Sequence, residues 1–76
     1  MKLVETFPGV WVSPADIKTI YVLCKLDHIK ENKKVFKYCA KIKTGEETFY
    51  GDEFDTPEEA RKSVEPIIRR LNAYRD

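Results

Sequence analysis

The chain has little of what catalysis or metal binding requires. It holds one histidine, His28, and two cysteines, Cys24 and Cys39, without CxxC spacing. A Ser/His/Asp or Cys/His set cannot be assembled around one histidine in a polar loop segment, and these three residues make a poor zinc set. No glycine-rich phosphate loop occurs, and the acidic residues after Gly51 lack the order of a calcium loop. We therefore expect no enzyme activity, no cofactor and no metal.

Long apolar runs and a secretion signal are also missing. No stretch approaches the ~18 apolar residues that span a bilayer, and the N-terminus turns acidic at Glu5, too early for a signal peptide. Two cysteines are not a disulfide framework. Strand alternation predicts Cys24 on an apolar face and Cys39 on a polar face, so that their sulfurs point to opposite sides of a shared sheet. These features predict a cytoplasmic protein with reduced thiols and no membrane partner.

What is present suits one small domain over residues 1–76. A hydrophobic fraction of 42% with four Phe, four Tyr and one Trp is sufficient for an ordered fold. At this length folding buries only roughly 60% of the surface that the unfolded chain exposes, so the core is thin. A deep active-site cleft is hard to build from so little material.

Two long alternating segments predict the main strands. Residues 17–27 place Ile20, Val22, Cys24 and Leu26 on one face, and residues 35–44 alternate strictly between apolar and lysine-rich faces. We expect the segment between them, residues 28–34, to be an exposed polar connection. Gly45 then suits a tight turn with a positive φ angle, before a third strand that begins at Thr48 and fades at Gly51.

Shorter strands are predicted near the N-terminus. Lys2–Phe7 alternates loosely, Pro8-Gly9 is a turn signal, and Val10–Val12 forms a short apolar run. The sequence leaves open whether residues 3–7 join the main sheet.

The start of a C-terminal helix is the best-marked boundary. Thr56 suits the N-cap, Pro57 the first helical position and Glu59 the third, which is a capping box. Apolar residues recur downstream at spacings of three and four. Pro66 removes one backbone hydrogen bond, so we expect a kink or a break near Glu65.

These elements predict an α+β fold, an antiparallel sheet of three to four strands with the C-terminal helix packed on one face. The other face of the sheet should remain partly open. We expect the helix to cover the apolar face, which comprises Ile20, Val22, Leu26, Phe36, Tyr38, Ala40, Ile42 and Phe49.

Acidic residues concentrate in one segment. Glu46 to Glu59 holds seven acidic residues and no basic one, whereas residues 1–45 carry nine lysines against four acidic residues. The net charge of +1 therefore conceals a dipolar distribution. Capping and the helix dipole account for Glu58 and Glu59, and a solvated turn would account for the rest. The alternative is a docking surface for a protein with a basic surface. That predicted partner site comprises Glu46, Glu47, Phe49, Tyr50, Asp52, Glu53, Phe54 and Asp55.

The open sheet face predicts a second kind of site. Aromatic residues beside lysines on a sheet can stack bases while the cations meet phosphates, as in single-stranded nucleic-acid platforms. Lysines on exposed strands also serve solubility alone, and a pI of about 7.7 is low for a nucleic-acid binder. The residues of this alternative site are Tyr21, Lys25, Lys37, Lys41 and Lys43.

The layout resembles known small proteins. It is similar to that of short proteins of phages and mobile elements. The features that carry the similarity are Trp11-Val12-Ser13-Pro14, then Asp16-Ile17, a strand, a hairpin around a glycine, and a helix opening at Thr56-Pro57-Glu58-Glu59-Ala60. The order is also similar to that of short flagellar-operon proteins of the FlbD type. No functional residue carries over from either group, and the segment 28–34 is longer and more basic than their usual tight turn. The resemblance implies an accessory or inhibitory protein that acts by binding.

The leading hypothesis is thus a small non-catalytic protein-binding module, a phage or mobile-element inhibitor of a host protein. Single-stranded nucleic-acid binding through the tyrosine and lysine face is the alternative. Self-association through an uncovered strand edge stays open.

Overall fold

The computed structural model describes residues 2–74 and shows an α+β fold. It contains a three-stranded and a two-stranded antiparallel sheet and one C-terminal helix. In chain order the elements are β1 (Val4–Glu5), β2 (Trp11–Val12), a 3-10 helix (Pro14–Asp16), β3 (Ile17–Lys30), β4 (Lys33–Thr44), β5 (Thr48–Phe54) and α1 (Pro57–Ala73).

The larger sheet has the order β3-β4-β5, with β4 in the centre. Its register confirms the predicted faces. On one face Ile20 of β3 pairs with Ile42 of β4, which pairs with Phe49 of β5. On the other face Tyr21 pairs with Lys41, which pairs with Tyr50. Cys24 and Cys39 accordingly lie on opposite faces as free thiols. The third strand extends beyond the prediction and ends at Phe54.

The N-terminal residues form their own small hairpin instead of joining this sheet. Val4 pairs with Val12, and the turn between β1 and β2 is closed by a hydrogen bond of 2.8 Å from the Val10 N–H to the Phe7 carbonyl. Gly9 has a φ of +79°, as the second central residue of a Pro-Gly type II turn requires. The predicted turn is therefore confirmed, and the hairpin packs Val4 and Phe7 into the core.

Helix α1 begins as the capping pattern predicts. The Thr56 hydroxyl oxygen accepts a hydrogen bond of 3.2 Å from the Glu59 backbone N–H, and the hydroxyl lies 3.3 Å from the Glu59 carboxylate. The helix runs through Pro66 as one element to Ala73, so it is not divided into two. Pro66 lies on the exposed side of the helix, where water can satisfy the Lys62 carbonyl that lost its partner.

The core lies between the sheet, α1 and the N-terminal hairpin. Its buried residues are Val4, Phe7, Ala40, Ile42, Val64, Ile67 and Leu71. The prediction that the helix also covers Leu26 and Phe36 is wrong, because these side chains are 49% and 41% exposed. A helix of 17 residues is ~25 Å long, whereas β3 with 14 residues spans ~46 Å. The helix therefore reaches only part of the sheet.

The uncovered part projects as a two-stranded ribbon, which we call the hairpin arm (residues 26–36). It gives the molecule an extent of 51 Å along its longest axis. The predicted exposed connection at residues 28–34 is wrong in form, because the strands continue to Lys30 and resume at Lys33. Glu31 and Asn32 alone make the turn, with φ angles of 51° and 62°. Two successive positive φ angles define the type I′ turn that suits the twist of a hairpin.

Candidate functional site

The structure separates the predicted partner site into three places. Tyr50, Glu53 and Asp55 belong to the open face of the sheet. Asp52 and Phe54 line a cleft beside the N-terminal turn, and the remaining three residues lie at the β4–β5 turn. The acidic segment is therefore not one continuous surface.

On the open face, a lysine lies between two tyrosines. The Lys41 ammonium is 5.4 Å from the centre of the Tyr21 ring and 5.5 Å from that of Tyr50. A hydrogen bond with Tyr21 raises the pKa of Lys41. Both rings remain exposed, at 42% for Tyr21 and 59% for Tyr50. This cation–π row is the centre of the predicted nucleic-acid face, and all five predicted residues share that face.

Two of the remaining lysines are paired with acids of the predicted partner site. Lys25 forms an ion pair with Glu53, and Lys37 forms one with Asp55. In each case the hydrogen bond to the carboxylate raises the pKa of the lysine. The two predicted sites thus meet on one face and partly neutralise each other, which lowers the potential that this face offers to a phosphate backbone.

Asp52 and Phe54 lie elsewhere, in a cleft of about 350 Å³ between the Thr6–Gly9 turn and α1. The Arg70 guanidinium closes one side by donating a hydrogen bond of 3.3 Å to the Thr6 carbonyl. β5 bulges next to Ala40, and Gly51 in this bulge lets the Phe7 ring approach the strand. The cleft is a by-product of packing the N-terminal turn on the sheet, and it separates Asp52 from the other acids.

The β4–β5 turn is built by Thr44. Its hydroxyl oxygen accepts a hydrogen bond of 2.9 Å from the Glu47 N–H, and the Thr44 N–H donates one of 2.8 Å to the Glu47 carbonyl. Gly45 does not have the positive φ angle that we predicted, because these bonds close the turn without it. The turn uses only backbone atoms of Glu46 and Glu47, so their carboxylates have no structural role in it.

Beside this turn, the N-terminal hairpin and the sheet enclose a shallow surface cleft of about 220 Å³. We call it the acidic cleft. The apolar residues are Leu3, Trp11, Val12 and Phe49, and the acidic residues are Asp16, Glu46 and Glu47. Trp11 is 57% exposed and Leu3 is 51% exposed. None of the three acids forms an ion pair within residues 2–74. Lys18 lies in the adjoining groove with Asp16 and Glu46.

Sequence reasoning missed Trp11 and Leu3 as site residues. The available signal was the alternation in β2, where Val12 is buried and its neighbour Trp11 must face the opposite way. That Trp11 lies next to the β4–β5 turn depends on the packing of the N-terminal hairpin against the sheet, which strand alternation does not encode.

No group of three or more His, Cys, Asp or Glu side chains within residues 2–74 is arranged to hold a metal ion. In the same part of the chain, no helix has the length and apolar character needed to cross a bilayer.

Comparisons with family models, with curated proteins and with solved structures found no match to this chain.

Proposed function

We propose that this protein is a binding module that takes a lysine- or arginine-bearing segment of another protein into the acidic cleft. The observation that carries the proposal is the exposed Trp11 ring beside acids with no ion-pair partner among the described residues. An exposed tryptophan next to Leu3 is a typical anchor of a protein interface. Charge alone would attract a basic partner, and the apolar floor adds the contact area that holds it.

The cleft suits the two parts of a basic side chain. The aliphatic stem of a lysine or arginine can lie along Trp11 and Leu3, while its cationic head meets Glu46 or Glu47. A cation over a tryptophan face at an exposed site contributes ~0.5–1 kcal/mol. A cleft this shallow therefore predicts a transient complex whose association is fast and sensitive to salt.

The resemblance to short phage and mobile-element proteins adds a role to this module. A protein of this size that occupies a basic surface would act by blocking it. We therefore propose inhibition of a cytoplasmic host protein as the biological consequence of binding.

The open face supports a second candidate function, single-stranded nucleic-acid binding. The exposed rings of Tyr21 and Tyr50 on either side of Lys41 favour it, since each could stack on a base. The ion pairs of Lys25 and Lys37 count against it. It predicts oligonucleotide affinity that falls steeply with salt, and a filter-binding assay that retains no oligonucleotide at low salt would remove it.

Trp11 gives a direct test of the acidic cleft because it is the one tryptophan in the chain. Short peptides in which arginine or lysine alternates with leucine should change the Trp11 emission in a saturable way. The same peptides with glutamine at each basic position should not. Spermidine, which has positive charges but no leucine side chains, should bind more weakly than the basic peptides.

The matched variants are Glu47→Lys and Glu65→Lys, which change the net charge equally. Glu47 lines the cleft, whereas Glu65 is exposed on α1. We expect Glu47→Lys to weaken peptide binding by about fivefold or more, as for loss and reversal of one interfacial charge, and Glu65→Lys to leave it nearly unchanged. Equal losses in both variants would mean that net charge, and not the cleft, attracts the peptide.

A further inference from the structure

Two pairs of lysines face each other directly across β3 and β4. Lys25 lies opposite Lys37 in the part of the sheet that β5 approaches. Lys30 lies opposite Lys33 at the tip of the hairpin arm. Like charges directly opposite each other destabilise a strand pair. Each pair is therefore more stable when carboxylates lie beside it.

The chain neutralises the first pair and leaves the second pair free. Glu53 and Asp55, in β5 and just after it, form ion pairs with the first two lysines. β5 pairs with β4 no further towards the arm than Tyr38, so it supplies no carboxylate to the tip. Among the described residues, Lys30 and Lys33 accordingly form no ion pair. The tip is a cationic surface that an acidic partner would stabilise.

An apolar side chain accompanies this charge. Ile29 is the most exposed large hydrophobic residue in the described part of the chain, at 63%. It lies opposite Lys34, a third lysine without an ion pair among the described residues. A phosphate backbone would neutralise the lysines but would leave Ile29 uncovered. The tip therefore suits a partner that combines carboxylates with an apolar surface.

The acidic cleft is such a surface, and it lies at the opposite end of the molecule. Asp16 lines the cleft and directly precedes β3, whereas Lys30 is the last residue of β3. The 14 residues of this strand separate the two ends by ~46 Å. The tip therefore cannot fill the cleft of its own chain, but it can fill the cleft of a second copy.

We propose that the tip of the hairpin arm of one copy docks in the acidic cleft of a second copy. In this contact Ile29 covers Trp11 and Leu3, and the tip lysines meet Glu46 and Glu47. The four cleft residues are exposed, and the two acids form no ion pair among the described residues. Two different surfaces make the contact, so it is heterologous, and every copy carries one surface of each kind.

The consequence is a regulation of the cleft. The inference rests on the proposed function, because it uses the same cleft and the same chemistry of a cation beside an aliphatic side chain. The arm of a second copy occupies the cleft until the basic segment of a target displaces it. Self-association therefore sets the protein concentration below which the cleft is free for the target.

Two double variants, each of which removes one surface, test the contact. Glu46→Gln/Glu47→Gln removes acids of the cleft, and Lys30→Gln/Lys33→Gln removes cations of the tip; all four side chains are exposed. Sedimentation equilibrium should show concentration-dependent association of the native protein. Each variant should raise the dissociation constant roughly tenfold, as for the loss of two exposed ion pairs.

A mixture of the two variants makes the test specific for a contact between unlike surfaces. The cleft variant keeps a native tip, and the tip variant keeps a native cleft. An equimolar mixture should therefore associate roughly tenfold more tightly than either variant alone and should stop at a 1:1 heterodimer. A mixture that associates no better than the separate variants would overturn the proposal.

Further outcomes count equally against it. A native protein that stays monomeric at all concentrations would overturn the proposal. So would a tip variant that loses oligonucleotide retention in the filter-binding assay but keeps native self-association, because the tip lysines would then serve nucleic acid. Arg61→Gln/Lys62→Gln is the control, since it removes two exposed cations of α1 and should leave self-association unchanged.

The Trp11 titration separates this inference from the proposed function. Where both hold, the basic peptides should dissociate the native assembly as they bind, and the glutamine peptides should not. Peptide binding to a protein that does not self-associate would keep the proposed function and reject docking of the arm. Self-association that saturating peptide leaves intact would also reject it, because the two would not share the cleft.

Discussion

The two ends of the strands β3 and β4 form very different structures from the same kind of sequence. Around Ile42 the sheet has three strands, and α1 and the N-terminal hairpin cover one of its faces. In the hairpin arm only two strands remain, and neither face is covered. Apolar residues alternate with polar ones in both regions. The comparison shows that alternation determines which way a side chain points, whereas the covering elements determine whether it is buried.

This difference also separates stability from recognition. The covered region contains nine of the ten buried hydrophobic residues of the described chain, the tenth being Cys39 on the open face, so it supplies most of the free energy of folding. The arm and the neighbouring β3 edge contribute little to that core, since an isolated two-stranded ribbon is marginal in water. Surfaces that the fold does not need for its own stability are available for a partner.

The largest expected effect compares two isoleucines on these strands. Ile42 is 0% exposed in the covered region, whereas Ile29 is 63% exposed in the arm. Ile42→Ala should lower the free energy of unfolding by ~2–5 kcal/mol because it leaves a cavity. Ile29→Ala should change it by less than ~0.5 kcal/mol. Urea denaturation at a concentration where the protein is monomeric measures both, and a comparable loss in the two variants would show that the arm is part of the cooperative core.

The next effect compares two glycines. A Cβ atom at Gly51 would lie 2.7 Å from Cε1 of the buried Phe7 ring, whereas one at Gly45 would meet only Cε of Lys18 at 3.8 Å. Gly51→Ala should therefore destabilise the protein by ~1–3 kcal/mol through overpacking. Gly45→Ala should be neutral to within ~0.5 kcal/mol. Equal melting temperatures for the two variants would show that Phe7 moves away without loss.

A smaller effect is expected at the tip of the arm. Glu31 and Asn32 both have positive φ angles, which cost a residue other than glycine free energy. The double variant Glu31→Asn/Asn32→Gly supplies the preferred type I′ pair and should stabilise the arm by ~0.5–1 kcal/mol. Slower amide exchange confined to residues 26–36 would show this. Lys33→Gly, at a position without a positive φ angle, should destabilise the arm and make its amide exchange faster. Faster exchange in the Glu31→Asn/Asn32→Gly variant as well would contradict the turn geometry.

The smallest effect is a pH dependence from the open face. The pKa values of Lys25 and Lys37 are raised by Glu53 and Asp55, respectively. A raised lysine pKa contributes stability that is fully present below the unfolded value of about 10.5 and is lost as the pH rises through the folded value. Lys25→Met and Lys37→Met should therefore be less stable than the native protein at neutral pH, and the difference should shrink only as the pH rises above about 10.5.

Thermal unfolding between pH 7 and 12 measures this difference. Lys43→Met is the control, since Lys43 forms no ion pair within residues 2–74. A constant gap between the native protein and the two test variants across that range would show that the ion pairs do not contribute.

Much of the fold was predictable from local pattern. The faces of β3 and β4, the Pro8-Gly9 turn and the Thr56 cap all follow from interactions within a few residues. The errors have two physical causes. The extent of β3 and the exposure of Leu26 depend on what pairs or packs from elsewhere in the chain. The turn at Gly45 is closed locally, by hydrogen bonds between Thr44 and Glu47 that make a positive φ angle unnecessary.

The candidate site was predicted less well. Glu46, Glu47 and Phe49 remain together in the acidic cleft, but Glu53 and Asp55 are paired with lysines and Asp52 lies in another cleft. A run of acids in a sequence does not remain one surface when it crosses a turn and a strand, because alternate side chains point to opposite faces. Trp11 joins the site from a distant segment.

The sequence by itself determined the fold class, the side to which each strand residue points and the start of the helix, because these follow from backbone periodicity and capping. Only the tertiary structure decided which acids stay free, where Trp11 meets them and which strand edge stays open. Those outcomes depend on contacts between segments that are far apart in the chain, and on a helix that is shorter than the strands it covers.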